Sequence, residues 1–421
     1  MSAETTTVRR GALRRWVMPV VLVSLAAGLC SLASAPQTAL ASAAGAASIS
    51  AGGEHACAIV SGAAYCWGEN FNGELGDGTN LNSAVPVAVD TSGVLAGQTL
   101  IQITAGYEYT CALDSAGAAF CWGSDLYGQL GDGTTTNSNV PVAVRAGSVP
   151  AGQTLTQITA GVVHTCALDT AGVAYCWGWN AYGQLGDGNT TDSSVPAAVN
   201  TSGVLAGQPL SQITTGAYVT CALGAAGAAY CWGYNVYGEL GDGTNTSTKV
   251  PVAVDTSGVL AGRSLSQINT NWYHTCAVDT TGDAFCWGRN SYGQLGDGSS
   301  ADSNVPVAVD ASGALAGQAV TQITAGAFDT CALDAAGAAY CWGYNLYGEL
   351  GNASTTGSSV PVAVDTGGPL AGKTLTQIGA GVWHTCGLDA AGAVYCWGGN
   401  ASGELGNDSY IPSAVPVLVG L

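Results

Sequence analysis

Basic residues are scarce: 421 residues hold nine Lys and Arg against 28 Asp and Glu, with four His and two Met. Four of the nine, Arg9, Arg10, Arg14 and Arg15, fall in the first 43 residues beside a single acid, Glu4, so residues 44–421 carry five bases against 27 acids, a net −22. Nucleic acid and anionic membranes are held through basic patches, and this deficit excludes both as partners of the body of the chain. Most of the acids are isolated Asp residues at turns, which reads as a solubilising surface. There is no Cys-x-x-Cys pair and no histidine cluster, hence no zinc ligand set of the usual spacing. Nor is there a nucleophile elbow, a phosphate-cradling glycine loop or an acid pair standing out from its surroundings. No catalytic, cofactor-binding or metal residue is assigned, and no enzyme is expected.

What is present is a repeat. Its clearest copy runs from His164 to Gly188, and the first cysteine of each copy, Cys57, Cys111, Cys166, Cys221, Cys276, Cys331 and Cys386, recurs after 54 residues once and after 55 five times. Each unit holds four short apolar runs punctuated by Gly, Asp, Asn, Thr and Ser. In unit three these are Gln157–Ala160, Thr165–Leu168, Ala174–Trp177 and Val195–Val199. Short, β-rich, glycine-bounded runs are strands. Four strands make one propeller blade, and a ring of blades leaves few exposed edges. An open solenoid would use shorter repeats of roughly 20–30 residues. The expected fold is all-β, a seven-bladed β-propeller of about 55-residue four-stranded repeats. A crossing of each Val-Pro strand into the following blade is also open, with Val415–Val419 beside Ile49–Ala51 as the latch of the ring.

The fourteen repeat cysteines form seven pairs, ten residues apart except for Cys57/Cys66 at nine. With Cys166 opposite Cys176, Leu168 faces Ala174 and Asp169 faces Val173, leaving the loop Thr170-Ala171-Gly172. That is a favoured three-residue hairpin with glycine last. In unit one the loop shrinks to Ser61-Gly62 with Val60 opposite Ala63, and the cysteines stay opposed. One disulfide per blade is therefore expected: Cys57 with Cys66, Cys111 with Cys121, Cys166 with Cys176, Cys221 with Cys231, Cys276 with Cys286, Cys331 with Cys341 and Cys386 with Cys396.

The recurring elements, small-Gly-x-x-His-Thr before the first cysteine and Trp-Gly-x-Asn-x-Tyr-Gly-Gln-Leu-Gly after the second, resemble the repeats of the regulator of chromosome condensation family from about Ile49 to Leu421. The resemblance implies a seven-bladed propeller; it does not carry nucleotide exchange on a small GTPase with it, since fold does not determine function. The chain resembles a secreted bacterial branch of that architecture, similar to the propeller-type β-lactamase inhibitory proteins, which implies loops on one face gripping an enzyme.

Residues 1–43 read as a signal peptide. The four arginines precede an uncharged run from Val17 to Ala35, followed by Ala-x-Ala sites at Ala33–Ala35, Ala39–Ala41 and Ala41–Ala43, which place the cut between residues 35 and 43. The rival is an uncleaved anchor, because the run is just long enough to span. Residues 44–421 are then a single propeller domain, a monomer secreted to the extracellular space with no later hydrophobic segment.

Repeated features read as structure. The histidines recur at one repeat position (His55, His164, His274, His384) where other units carry Tyr109, Val219 and Asp329, which points to a side chain hydrogen-bonded inside each blade. Asp132, Asp187, Asp242 and Asp297 lie in Gly-Asp-Gly turns. The Trp-Gly pairs, present in all units, are packing. Function is sought where the units differ. One variable set follows the first glycine: Glu54, Tyr107-Glu108, Val162-Val163, Ala217-Tyr218, Trp272-Tyr273, Ala327-Phe328 and Val382-Trp383. The other follows Trp-Gly: Glu69, Ser124, Trp179, Tyr234, Arg289, Tyr344 and Gly399. In an antiparallel meander alternate loops share an end, so both sets emerge on one face and the cysteine turns on the other. Tyr107, Trp179, Tyr218, Tyr234, Trp272, Tyr273, Phe328, Tyr344 and Trp383 are the expected contacts for an extracellular or cell-surface protein, since exposed aromatics on a rigid scaffold make binding hot spots. A carbohydrate-binding, lectin-like propeller is the alternative, although seven sugar sites would repeat one aromatic in every blade.

Overall fold

A computed structural model describes residues 45–421; the signal-peptide expectation for residues 1–43, Cys30 included, lies outside them. The described residues form 28 strands in seven antiparallel four-stranded sheets, each built from four consecutive strands. Blade three has Leu155–Ala160 innermost, then His164–Asp169, Ala174–Gly178 and Ser193–Ala198. No strand is exchanged between blades: Ser413–Leu418 pairs with Val394–Gly398 of its own blade, through Tyr395↔Leu418 and Cys396↔Val417. The latch arrangement is therefore incorrect. A crossing strand would leave its own third strand without a ladder, whereas the loop before each Val-Pro run folds back far enough to complete the blade.

Closure comes instead from side-by-side bonds between inner strands. Gln377 of blade seven accepts the Ile49 N–H of blade one at 3.0 Å and donates to Ile49 O at 3.2 Å. Equivalent glutamines accept the isoleucine N–H of the next blade at the other joints, as Gln157 does from Ile213 at 2.9 Å. Only the joint from blade one to blade two lacks the glutamine, because Ser48 stands there; it keeps the second bond found at other joints, Ser50 accepting the Ala105 N–H at 2.9 Å as Thr104 accepts that of Ala160 at 3.1 Å. These strands surround an axial channel lined by Gln102, Gln157, Gln212, Gln267, Gln322 and Gln377 together with small hydroxyl residues.

All seven cysteine pairs are bonded as expected. Cys57 is joined to Cys66, Cys111 to Cys121, Cys166 to Cys176, Cys221 to Cys231, Cys276 to Cys286, Cys331 to Cys341 and Cys386 to Cys396, with Cα atoms 4.0–4.1 Å apart. The register follows the turn: Cys166 faces Cys176 and Leu168 faces Ala174, and in blade one Cys57 faces Cys66 and Val60 faces Ala63. Asp169 closes the loop by accepting the N–H groups of Ala171 and Val173, both at 2.9 Å, and Gly172 takes the positive φ of +74° that the third loop position needs.

The core lies between blades. Each of seven buried clusters joins one blade's disulfide to the tryptophan of the next blade, for example Cys166, Cys176 and Leu185 with Trp232. All seven of these indoles, Trp67 to Trp397, are fully buried. Each donates its N–H to a backbone carbonyl of the preceding blade, as Trp122 does to Glu74 O at 2.8 Å and Trp67 to Glu404 O at 2.8 Å across the closing joint. The glycine after each Leu makes room: at Gly186 (φ +70°) a Cβ would lie 2.5 Å from Trp232 Nε1. The signature asparagine holds this loop in shape. Asn180 Oδ1 accepts from Leu185 N at 3.0 Å, and its amide donates to Thr191 O at 3.1 Å. The Gly-Asp-Gly acids are turn residues, Asp187 accepting the Asn189 N–H at 3.1 Å and Asp132 that of Thr134 at 2.8 Å.

Candidate functional site: the variable loop face

The two variable sets meet at one end of every blade, where the N–H of the second set donates to the carbonyl of the first. Glu69 bonds Glu54 O at 2.7 Å, Trp179 bonds Val163 O at 2.9 Å, Tyr234 bonds Tyr218 O at 2.9 Å and Arg289 bonds Tyr273 O at 2.8 Å. The disulfide turns lie at the other end of the same strands. The shared face follows from strand alternation, as expected from the sequence.

The nine expected contact residues join a single aromatic array. Trp179 meets Tyr218 at a centroid separation of 5.1 Å and Tyr218 meets Tyr234 at 6.0 Å; Trp272 touches Tyr273 at 5.7 Å and Phe328 at 6.1 Å; Trp383 touches Phe328 at 5.7 Å and Tyr344 at 6.1 Å. Tyr107 of blade two reaches Trp272 of blade five, edge-on at 5.6 Å. Most contacts are edge-to-face, the arrangement ring quadrupoles favour. All nine rings are partly exposed: they lie on the face against one another, outside the joints filled by the invariant indoles.

Five further rings belong to the array. Tyr237 links Tyr234 to Tyr273, Tyr127 and Tyr182 flank Trp179, Tyr292 lies 5.1 Å from Tyr344, and Tyr347 lies 5.9 Å from Trp383. These are the tyrosines of the Tyr-Gly element, which passed as fold signature. Their signal was present: units one and seven carry Asn72 and Ser402 at this position, so the blade does not require Tyr there.

The face is electrically lopsided. Glu54, Glu69 and Glu108 lie over blades one and two, and Glu74 and Glu404 are buried nearby. Glu69 is pushed up to about 8, first by burial and then by the charges of Glu54, Glu74, Glu108 and Glu404. Glu404 is pushed up to about 7 by burial, and Glu54 adds to the effect. Opposite them Arg289 stacks its guanidinium on Tyr237 at 5.2 Å and on Tyr273 at 5.4 Å.

The histidines are buried at the joints, and the expectation that they bond inside their own blade needs correction. His55 Nε2 lies 2.8 Å from the Thr110 hydroxyl of the next blade, His164 from Thr220 and His274 from Thr330 at the same distance. Each threonine hydroxyl donates to a backbone carbonyl, Thr110 to Glu74 O at 2.9 Å, so its oxygen accepts from the imidazole. The ring is therefore neutral and protonated at Nε2. Tyr109 makes a different bond across the joint, donating to His164 O at 2.6 Å. His384 has no such partner because Ala56 replaces the threonine in blade one. The side chain points across the joint because the residue immediately before the Thr-Cys pair faces the neighbouring sheet.

These groups determine the pH dependence. Burial holds His55, His164 and His274 down to about 3 and His384 to about 4, below the ordinary 6.5. Between those values the unfolded chain binds protons that the folded one refuses, so their contribution to stability is lost as pH falls. Glu69 and Glu239 at about 8, and Glu404 at about 7, keep protons that the unfolded chain has released above 4.5, so their contribution is lost as pH rises. From pH 4.5 to 6.5 the two sets oppose each other; outside that window one acts alone. A series of denaturation midpoints should show a plateau with declines below about pH 4.5 and from 6.5 to 8. A midpoint that climbs steadily from 6.5 to 8 would contradict the carboxyl assignments.

A family model described as the RCC1-like domain matches residues 25–365, and one described as the regulator of chromosome condensation (RCC1) repeat matches residues 375–404. The ultraviolet-B receptor UVR8 of Arabidopsis thaliana is 31% identical over 367 residues, covering 87% of this chain and 79% of the receptor. The human E3 ubiquitin-protein ligase HERC2 is 28% identical over 376 residues, 86% of this chain but 7% of that protein. Among solved structures, human WBSCR16 superimposes with a TM-score of 0.73 at 23% identity, covering 85% of this chain and 93% of that one. Yeast RCC1 does so with 0.71 at 20%, covering 84% and 83%. Such identities speak for a shared fold. With a family model spanning most of its length and the blades, joints and loop face in place, the chain belongs to the RCC1-like domain family.

Proposed function

We propose that this chain is a secreted, non-enzymatic scaffold that docks onto another protein through its variable loop face, in the manner of a propeller inhibitor. The observation carrying this reading is the connected array of fourteen rings from six blades on the loop face, nine of them at positions whose residue changes from blade to blade. A residue needed only for blade packing recurs, as the seven buried tryptophans do; those nine positions vary. Seven disulfides support export, because such bonds persist in oxidising compartments. The net −22 of residues 44–421 supports a protein partner over nucleic acid. The 20% identity to yeast RCC1 transfers fold and not nucleotide exchange.

The test is an affinity capture from the producer's culture medium with the wild-type chain and with Trp272→Ala/Tyr273→Ala/Trp383→Ala as baits. A protein held by the first bait and lost by the second, with both baits melting cooperatively, is the expected result. Equal capture by both would remove the aromatic face as the docking site, and recovery of polysaccharide alone would move the reading to a lectin.

A further inference from the structure

The backbone N–H at the signature asparagine position, Asp125 in blade two, is capped in five blades by a side chain twelve residues later. Asn82 Oδ1 accepts from Asn70 N at 2.9 Å, Asn137 Oδ1 from Asp125 N at 2.9 Å and Asp192 Oδ1 from Asn180 N at 2.8 Å. Ser247 Oγ accepts from Asn235 N at 3.1 Å and Asp302 Oδ1 from Asn290 N at 2.7 Å. Blade six breaks the pattern, because its capping position is Gly357, which has no side chain. Asn345 keeps the other bonds of the position: Oδ1 accepts from Leu350 N at 2.9 Å, and the amide donates to Ser354 O and Thr356 O, both at 3.0 Å. The loop therefore holds the common shape, and the Asn345 N–H is left without an acceptor among the described residues. Asn345 is 1% exposed, and main-chain donors so enclosed are nearly always paired. Blade seven also lacks the cap, but carries the bulk of Pro412 there.

A pocket of about 230 Å³ opens at this place on the loop face, lined by Tyr292, Tyr344, Asn345, Leu346, Thr355 and Gly357. Its walls are mostly apolar, and two of them, Tyr292 and Tyr344, are rings of the aromatic array 5.1 Å apart. A Cβ at Gly357 would lie 3.9 Å from Asn345 N, so an oxygen carried on that carbon falls within bonding reach of the N–H, as it does in the other five blades. The pocket is thus the space that a capping side chain fills elsewhere in the ring. Its rim is exposed and apolar, Leu346 being 58% and Tyr292 44% exposed, a border that a docked protein segment covers and a free small molecule leaves open.

We propose that this pocket is an anchor site of the docking face and takes a short, oxygen-bearing side chain of the partner, Asn or Asp, whose oxygen caps the Asn345 N–H while its carbons lie against Tyr292, Tyr344 and Leu346. This rests on the protein-docking reading and names a residue class in the partner. Binding energy concentrates where an anchor enters a pocket within an aromatic face. A donor already stripped of water in the free chain gains its bond with little further desolvation.

The probes are blocked amino acids, the N-acetyl N-methylamides of asparagine and aspartate, with that of leucine as control. They are titrated into the full chain labelled with ¹³C-carbonyl tyrosine and ¹⁵N-asparagine. NMR then selects Tyr-Asn steps, of which the chain has two, Tyr234-Asn235 and Tyr344-Asn345. Asn235, already capped by Ser247, is the internal reference. The Asn345 signal should move with the asparagine or the aspartate compound, the two arms telling an amide anchor from a carboxylate, while Asn235 stays. Gly357→Asn, which copies the cap of blade two without changing charge, should lose this response, and so should Gly357→Ser, which copies blade four. Cooperative thermal melts at or above the wild-type midpoint show that both variants fold. No movement of Asn345 up to the solubility limit, equal movement of Asn235, an equal response to the leucine compound, or a response that survives in both variants would overturn the site. As a bait in the culture-medium capture, Gly357→Asn should retain at least tenfold less of the partner. If capture depends on the aromatics but not on Gly357, the docking face stands and its anchor falls.

Discussion

Replacing Trp232 by Ala should lower the unfolding free energy by about 3–5 kcal/mol, the range for deleting a fully buried aromatic side chain. The indole is enclosed by residues of two blades, Cys166, Cys176, Leu185, Val199 and Leu205 from blade three and Leu210, Ile213 and Tyr230 from blade four. Its N–H bonds Gln184 O at 2.9 Å, a carbonyl that also takes the Thr220 hydroxyl at 2.8 Å. Trp232→Phe keeps much of the apolar area and removes one of those two donors, for an expected cost of about 1–2 kcal/mol. Urea denaturation followed by tryptophan fluorescence and circular dichroism measures both. Because each joint is built the same way, Trp122→Ala or Trp342→Ala should cost a similar amount. A Trp232→Ala protein with an unchanged midpoint would mean that the joints do not carry the stability of the ring.

Reduction of the disulfides should have the second large effect. Each bond closes a loop of nine or ten residues in the unfolded chain, worth roughly 2–3 kcal/mol on the chain-entropy model. Seven such contributions together exceed the stability of about 5–15 kcal/mol typical of a whole protein. The fully reduced chain should therefore not refold after dilution from denaturant, while the oxidised chain should. All fourteen sulfurs are inaccessible, so a reductant acts only once a blade has opened, and reduction of the native protein should track its unfolding. Cys166→Ala/Cys176→Ala removes one bond and should lower the midpoint while leaving a folded ring. Recovery of native circular dichroism from the reduced chain would show that the joints suffice without the cross-links.

The blade itself was legible from the sequence because it is local. Strand alternation, the glycine that ends the turn and the cysteine spacing all operate within about 30 residues, so the pairing of Cys166 with Cys176, its counterparts such as Cys221 with Cys231, and the shortened turn at Ser61-Gly62 between Cys57 and Cys66 could be placed without coordinates. The face shared by Glu54 and Glu69, or by Tyr218 and Tyr234, followed from the same alternation.

The joints were not legible, because their bonds connect positions about 36–56 residues apart in the repeat, and 328 or more across the closing joint. A strictly repeated residue looks the same whether it bonds within its unit or to the neighbouring one. That is why His164 was expected inside its own blade and in fact reaches Thr220, and why the Val-Pro strand was allowed a crossing that it does not make. The convergence of Glu54, Glu69 and Glu108, and the contact of Tyr107 with Trp272 between blades two and five, depend on ring curvature and the width of the hub. Sequence alone thus determined the repeat, the strands, the disulfides and which loops share a face, all set by backbone geometry over short distances. Tertiary structure decided how blades lock to one another and which side chains of that face touch, since both follow from bending seven nearly identical sheets around one axis.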